Sequence, residues 1–209
     1  MRIAVIAANG RSGRAFVTAA LAAGHVVRAG VHGRHTLPDN HPNLTIITCD
    51  ASNVDDLSDL FRDCDAVASF IGHIKGSEPD IQTKAITNAV EAMNIHGVKR
   101  IVSLTGTGVR MPDDRITLID RVLNRAISII DPERVHDGVN HVKILQDSDL
   151  DWTVLRVLKL QNIAPRPSFT LTASGPTKTV VSRSDVALAT LQIIENGSFI
   201  RQAPMISNK

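Results

Sequence analysis

The chain has 209 residues, 43% of them apolar and 21% charged, with a formal net charge of +2. That length supports one sizeable core, so a single domain over residues 1–209 is expected. A charge this small and dispersed, with no basic and aromatic residues interleaved on a strand, argues against nucleic acid as a partner, and no apolar run is long enough to span a membrane.

Only six residues are aromatic, five Phe and one Trp, and there is no tyrosine. The core must therefore be aliphatic, which suits a parallel sheet covered on both faces. Cys49 and Cys64 have no metal-ligand spacing, so no metal site is expected, and they read as buried free thiols of a reducing compartment. The start "MRIAVIAANG" is too short in its apolar part for a secretory signal, and a cytoplasmic location is expected.

In chain order, Ile3 to Ile6 is a β-like run, residues 12 to 23 follow a helical period, and Gly24 is a helix stop. "HVVRAGV" and "LTIITCD" are the second and third strands, "VDDLSDLFRDC" a helix and "DAVASFIG" the fourth strand. Residues 80 to 96 form a helix and "VKRIVSLTG" the fifth strand. This alternation implies right-handed crossovers and an α/β, Rossmann-type doubly wound parallel sheet. Further on, 117 to 130 and 134 to 147 read as helices, with Asp131 and Pro132 fitting a helix start. "DWTVLRVL" is a sixth strand and "PSFTLTASGPTKTVVS" a hairpin around Ser174–Pro176. "RSDVALATLQIIENG" is a helix capped by Ser184, and "RQAPMIS" an edge strand. The loops "GRHTLPDNHPN" and "TGVRMPDDR" concentrate Pro, Asp, Asn and Gly and are candidate mobile segments.

The stretch Ala7-Ala8-Asn9-Gly10-Arg11-Ser12-Gly13 joins the first strand to the first helix. Free N–H groups and the helix dipole at such a turn attract a pyrophosphate. Gly10 and Gly13 keep the spacing that lets backbone approach phosphate, while Ala7 stands where the tight-turn glycine of a dinucleotide loop sits, which is workable if its φ is negative. Read by itself, the same spacing also fits a plain turn. The second strand ends in "GVHGRH" with no carboxylate for a ribose 2′-hydroxyl. Arg34, with His32, His35 or Arg11, would suit a 2′-phosphate, so NADP(H) is expected over NAD(H); a solvated Arg34 is the other reading. Ligands of such sheets lie beyond the strand C-termini. That adds Asp50, as an adenine acceptor or a helix cap, then Ile71 and Gly72 after the fourth strand and Thr105 at the end of the fifth.

"AANGRSG", "CDASNVDDL", "DAVASFIG", "HGVKRIVSLTG" and "KILQDSDLDWTVLR" occur in the order of an atypical short-chain dehydrogenase/reductase. The chain resembles the group of NmrA-like, bacterial NAD(P)H-binding and biliverdin reductase B/flavin reductase proteins over nearly its whole length. Its region from about 150 would complete the substrate side. The resemblance implies that Lys143 reaches the nicotinamide ribose. The superfamily's Tyr-x-x-x-Lys pair is impossible without tyrosine, which excludes carbonyl reduction by that route. Candidates for catalysis are Thr105, His141 as a proton donor and Lys159 as a charge near substrate, a solvated lysine being the other reading of Lys159. Two functions fit: a reductase passing hydride to a small planar conjugated acceptor such as a flavin or quinone, whose hard chemistry belongs to the cofactor, or a non-catalytic NADP-binding sensor of NmrA type.

Overall fold

A computed structural model describes residues 1–38, 40–74, 76–106, 108–115, 117–162, 169–176 and 180–208. Its frame is a sheet of eight strands: β1 (Arg2–Ile6), β2 (Val26–Val31), β3 (Leu44–Thr48), β4 (Ala66–Ser69), β5 (Arg100–Gly106), β6 (Asp151–Val157), β8 (Phe169–Thr172) and β10 (Met205–Asn208). The short β7 (Leu160–Gln161) and β9 (Val181–Ser182) pair apart from it. The order is β3-β2-β1-β4-β5-β6-β10-β8, and every pairing is parallel except β10 with β8. The expected doubly wound sheet is therefore present, and its connections reverse between β1 and β4. At such a point two crossovers diverge and leave a crevice above the strand C-termini.

Alternation along the strands explains the two cores. Ile3 and Val5 of β1, Ala66 and Ala68 of β4 and Val102 of β5 face α1 (Arg11–Ala22) and α6 (Arg183–Glu195). Ala4 and Ile6, Val67 and Ile101 face the opposite layer of α2 (Val54–Phe61), α3 (Ile81–His96) and α5 (Pro132–Gln146). Both faces are covered, as buried parallel strands require. Cys49 and Cys64 are buried free thiols whose pKa values burial pushes up to about 12 and about 11. No helix among the described residues is long and apolar enough to cross a membrane.

The C-terminal third departs from the expected arrangement. Among the described residues, which leave out 177–179, the hairpin around Ser174–Pro176 does not form: β8 pairs with β10, and β9 with β7. The tail strand is not an edge either, since β10 enters between β6 and β8. Alternation of apolar residues identifies a strand but carries no information about its partner. The cap of α6 is Ser182, whose Oγ accepts from Asp185 N at 2.9 Å, and not Ser184. Arg100, at the start of β5, donates to Ile193 O and Ser198 O, placing a cation on the carbonyls at the end of α6.

The segment after β5 is anchored in its described part, 108–115. Arg156 of β6, fully buried, makes a fork with Asp114: Nη1 to Oδ2 at 2.5 Å and Nη2 to Oδ1 at 2.7 Å. Its Nε and remaining Nη1 capacity go to Ala203 O and Val109 O, so the charge is desolvated but every acceptor is close. Breaking a buried pair on one side leaves an uncompensated ion. Asp114→Ala is expected to lose about 3–5 kcal/mol of stability, read from denaturant unfolding; replacement of both partners by apolar residues should recover much of it.

Candidate functional site

Strand β1 delivers the chain to the crevice, and Ala7 turns it back with φ +58°. The expectation of a negative φ is thus corrected: Ala7 occupies the left-handed region that glycine enters freely and alanine enters at about 1 kcal/mol. The turn is held by Ala8 N to Gly30 O at 2.9 Å and Gly10 N to Ala7 O at 3.0 Å. It brings the Ala7 carbonyl against α1. A Cβ on Gly13 would stand 2.2 Å from Ala7 O and one on Gly10 3.1 Å, so the helix can seat only with glycine at 13 and closely tolerates anything more at 10. Gly10 caps α1 without a side-chain bond, and no acidic residue lies in the first turn. Among the described residues, the N–H groups of Arg11, Ser12 and Gly13 have no acceptor. Open amides at a helix start, cleared of side chains, are a cradle for phosphate, and these residues fit a dinucleotide.

Asn9 ties this cradle to the end of β2. Its Nδ2 donates to His32 O at 3.0 Å and Arg34 O at 3.3 Å, and Arg14 Nη1 donates to Thr36 Oγ1 at 2.8 Å. Asn9 therefore acts on the loop through its side chain, and the exposed Arg34 and His32 are held beside the cradle. The reading of Asp50 as the cap of α2 is corrected: Asn53 holds that position, and Asp50 closes the turn just ahead of it. Its Oδ1 accepts from Ser52 N and Ser52 Oγ, bonds that hold its pKa below the usual carboxylate value, while Asn53 caps α2. Ile71 is half-buried and Gly72 exposed beyond β4, and Thr105 is buried at the end of β5 with its Oγ1 against Gly138 of α5.

Two of the other candidates move. His141 is 2% exposed, with Nε2 at 2.9 Å from Ser103 Oγ and Nδ1 at 3.3 Å from Gln82 Oε1. Burial lowers its pKa to about 4, against a smaller opposite pull from Asp137. It is a neutral packing residue between β5, α3 and α5, not a proton donor at a surface. Lys143 is exposed in the last turn of α5, whereas Gly138, more than a turn earlier, is the residue that meets Thr105. Because α5 runs down from the strand C-termini, Lys143 lies toward the wrong end of the sheet. Lys159 is exposed just past β6, at the correct end.

Residues not singled out in the sequence also converge there. His73, in the loop after β4, places Nε2 2.8 Å from Asp137 Oδ2. Asp137 also accepts from Gln82 N, Thr83 N and Thr83 Oγ1, and so caps α3 from another helix. Burial by itself would raise its pKa; the bonds from Thr83, Gln82 and His73 outweigh that and hold it low. The pair fixes which imidazole nitrogen faces the carboxylate, leaving Nδ1 without a bond to the described residues. Nothing in the spacing of residues 73 and 137 signals this meeting; it depends on how α5 packs against α3.

The family model for NAD(P)H-binding proteins matches residues 7–197. The chain belongs to this NAD(P)H-binding family. Solved structures of similar fold include a wide-type short-chain dehydrogenase/reductase from Veillonella parvula in complex with NADP (18% identity, 99% of this chain and 94% of that one, TM-score 0.79). A candidate NADH-flavin reductase from Streptococcus pneumoniae is 22% identical over the whole of both chains, with TM-score 0.75. The anaerobillin reductase of Escherichia coli is 17% identical over 99% of this chain and 97% of its own, with TM-score 0.77.

Two outcomes follow from these contacts. Ala7→Gly removes the left-handed strain but frees the unfolded chain, and a net gain of at most about 0.5 kcal/mol in urea unfolding is expected. His141 stays neutral in the folded protein to about pH 4, whereas in the unfolded chain it protonates near 6.5. Its contribution is complete above pH 6.5 and is lost as pH falls toward 4, by about 3 kcal/mol at most. Denaturant unfolding between pH 7.5 and 4 should show that slope, and His141→Gln should flatten it.

Proposed function

We propose that this protein is an NAD(P)H-dependent reductase that passes hydride to a planar conjugated acceptor of the flavin or quinone kind, with NADPH preferred. The observation that carries it is the cradle: glycine-cleared, open amides of α1 at the β1/β4 crevice, tied through Asn9 to the loop bearing Arg34. Gly10, Arg11, Ser12 and Gly13 would hold the pyrophosphate, Arg34 and His32 a 2′-phosphate, and Ile71, Gly72 and Thr105 would border the nicotinamide half. The bound cofactor supplies the hydride, and its alignment over a flat acceptor replaces much of what a dedicated acid would do. His73, held by Asp137 in the loop after β4, would be a donor for the proton that accompanies the hydride, and water can serve a reduced flavin equally. Similar folds named for flavin and anaerobillin reduction support this class of acceptor.

A second reading, a nucleotide-binding sensor without turnover, is favoured by α4 (Leu118–Ile130), where Leu118, Val122, Ile129 and Ile130 are exposed, as a partner-binding helix would present them. The two separate on one assay: NADPH oxidation followed at 340 nm with FMN, riboflavin and quinones. Turnover with at least one acceptor is expected. NADPH binding at micromolar concentration with no turnover across the panel would overturn the reductase reading in favour of the sensor.

A further inference from the structure

Helices α1 and α6 lie side by side on one face of the sheet, Phe16, Val17 and Ala20 sharing a core with Val186, Ala187 and Ile194. They run the same way. Just past the end of α1, His25 Nε2 meets Glu195 Oε1, the last residue of α6, at 2.8 Å, and the two helices begin on Arg11 and Arg183. These two arginines sense each other: burial first, and then repulsion from Arg11, lowers the pKa of Arg183. Two guanidiniums at two adjacent positive helix ends are an unfavourable arrangement by themselves.

The ends differ in what they still need. The start of α6 is closed by its own Ser182 cap and carries Asp185 in its first turn. The start of α1 has neither cap bond nor acid, and its first amides are open. Arg11 has no hydrogen-bond or ion-pair partner among the described residues, and Arg183 is steadied by Nη1 to Asn162 Oδ1 at 2.6 Å. An anion on the amides of α1, at the adjacent starts of the two helices, would offset the repulsion between the two arginines. Position decides which anion. Arg34 is on the β2 side of the cradle, where an adenosine ribose belongs, whereas α6 packs toward β5, whose Arg100 it holds through Ile193 O.

We propose that Arg11 and Arg183 form a clamp on the pyrophosphate of the bound dinucleotide, Arg183 reaching it from the far end of the chain. This rests on the nucleotide-binding reading above and adds a residue to it. Arg183 then serves NADPH and NADH alike, while Arg34 serves the 2′-phosphate.

Calorimetric titration of the wild type, Arg183→Gln, Arg183→Lys and Arg34→Gln with NADPH, NADH, ADP-ribose and 2′-AMP tests it. Arg183→Gln should weaken NADPH, NADH and ADP-ribose by a similar factor, about 10-fold, the loss of one charge-assisted bond pair. It should leave 2′-AMP unchanged, and Arg183→Lys should restore part of the loss. Arg34→Gln should weaken NADPH and 2′-AMP only. Unchanged binding of all three pyrophosphate ligands by Arg183→Gln overturns the clamp, as does a loss confined to NADPH. So does a loss that appears only as a raised KM for FMN relative to riboflavin, which would assign Arg183 to the acceptor. A wild type that binds none of the ligands would instead overturn the nucleotide reading itself. Matching thermal midpoints of Arg183→Gln and the wild type exclude misfolding as the cause.

Discussion

The approach of Gly13 to the carbonyl of Ala7 sets the position of everything that makes this surface a binding site. Because there is no room for a single carbon between them, α1 can lie close under the end of β1 with its first amides facing the crevice. That seat also fixes α6, which shares an apolar layer with α1, and it sets the loop after β2 through Asn9. A larger residue at 13 would push away the helix, and with it the amides, Arg11 and the neighbouring Arg183. The strain at Ala7 is tolerable because it is small beside the packing that both helices gain.

Much of this was legible in the sequence, for a definite reason. The strands are short apolar runs separated by amphipathic helices, and the crossover rules leave few ways to arrange them. The loop glycines are legible because backbone approach to phosphate tolerates few residue types. What was not legible is pairing and depth. β8 and β9 look like the two arms of a hairpin, yet each finds its partner elsewhere, since alternation carries no partner information. His141 has the chemistry of a proton donor, but only the packing of α3 and α5 on β5 reveals that both its nitrogens are committed inside.

Polar residues in the core account for the remaining surprises. Arg156, Arg100, Asp137 and His141 are all buried, and each joins elements far apart in sequence. Arg156 fastens the segment after β5, Arg100 the end of α6, and Asp137 the start of α3. In composition they are indistinguishable from surface charges. Their effect is specificity of arrangement, because each buried charge or imidazole tolerates few alternative neighbours. Arg11 and Arg34, beside the open amides of α1, are by contrast exposed.

The place of β10 between β6 and β8 has a consequence for how the molecule is made. A chain emerging from the ribosome can assemble its first six sheet strands in order, N-terminal part first. β8 has then already been synthesised but has no neighbour until residues 205–208 arrive. During that interval β6 is an exposed edge, and its row of unpaired N–H and C=O groups is open to any other strand. Loss of the last few residues would therefore remove two strands from the sheet, not one.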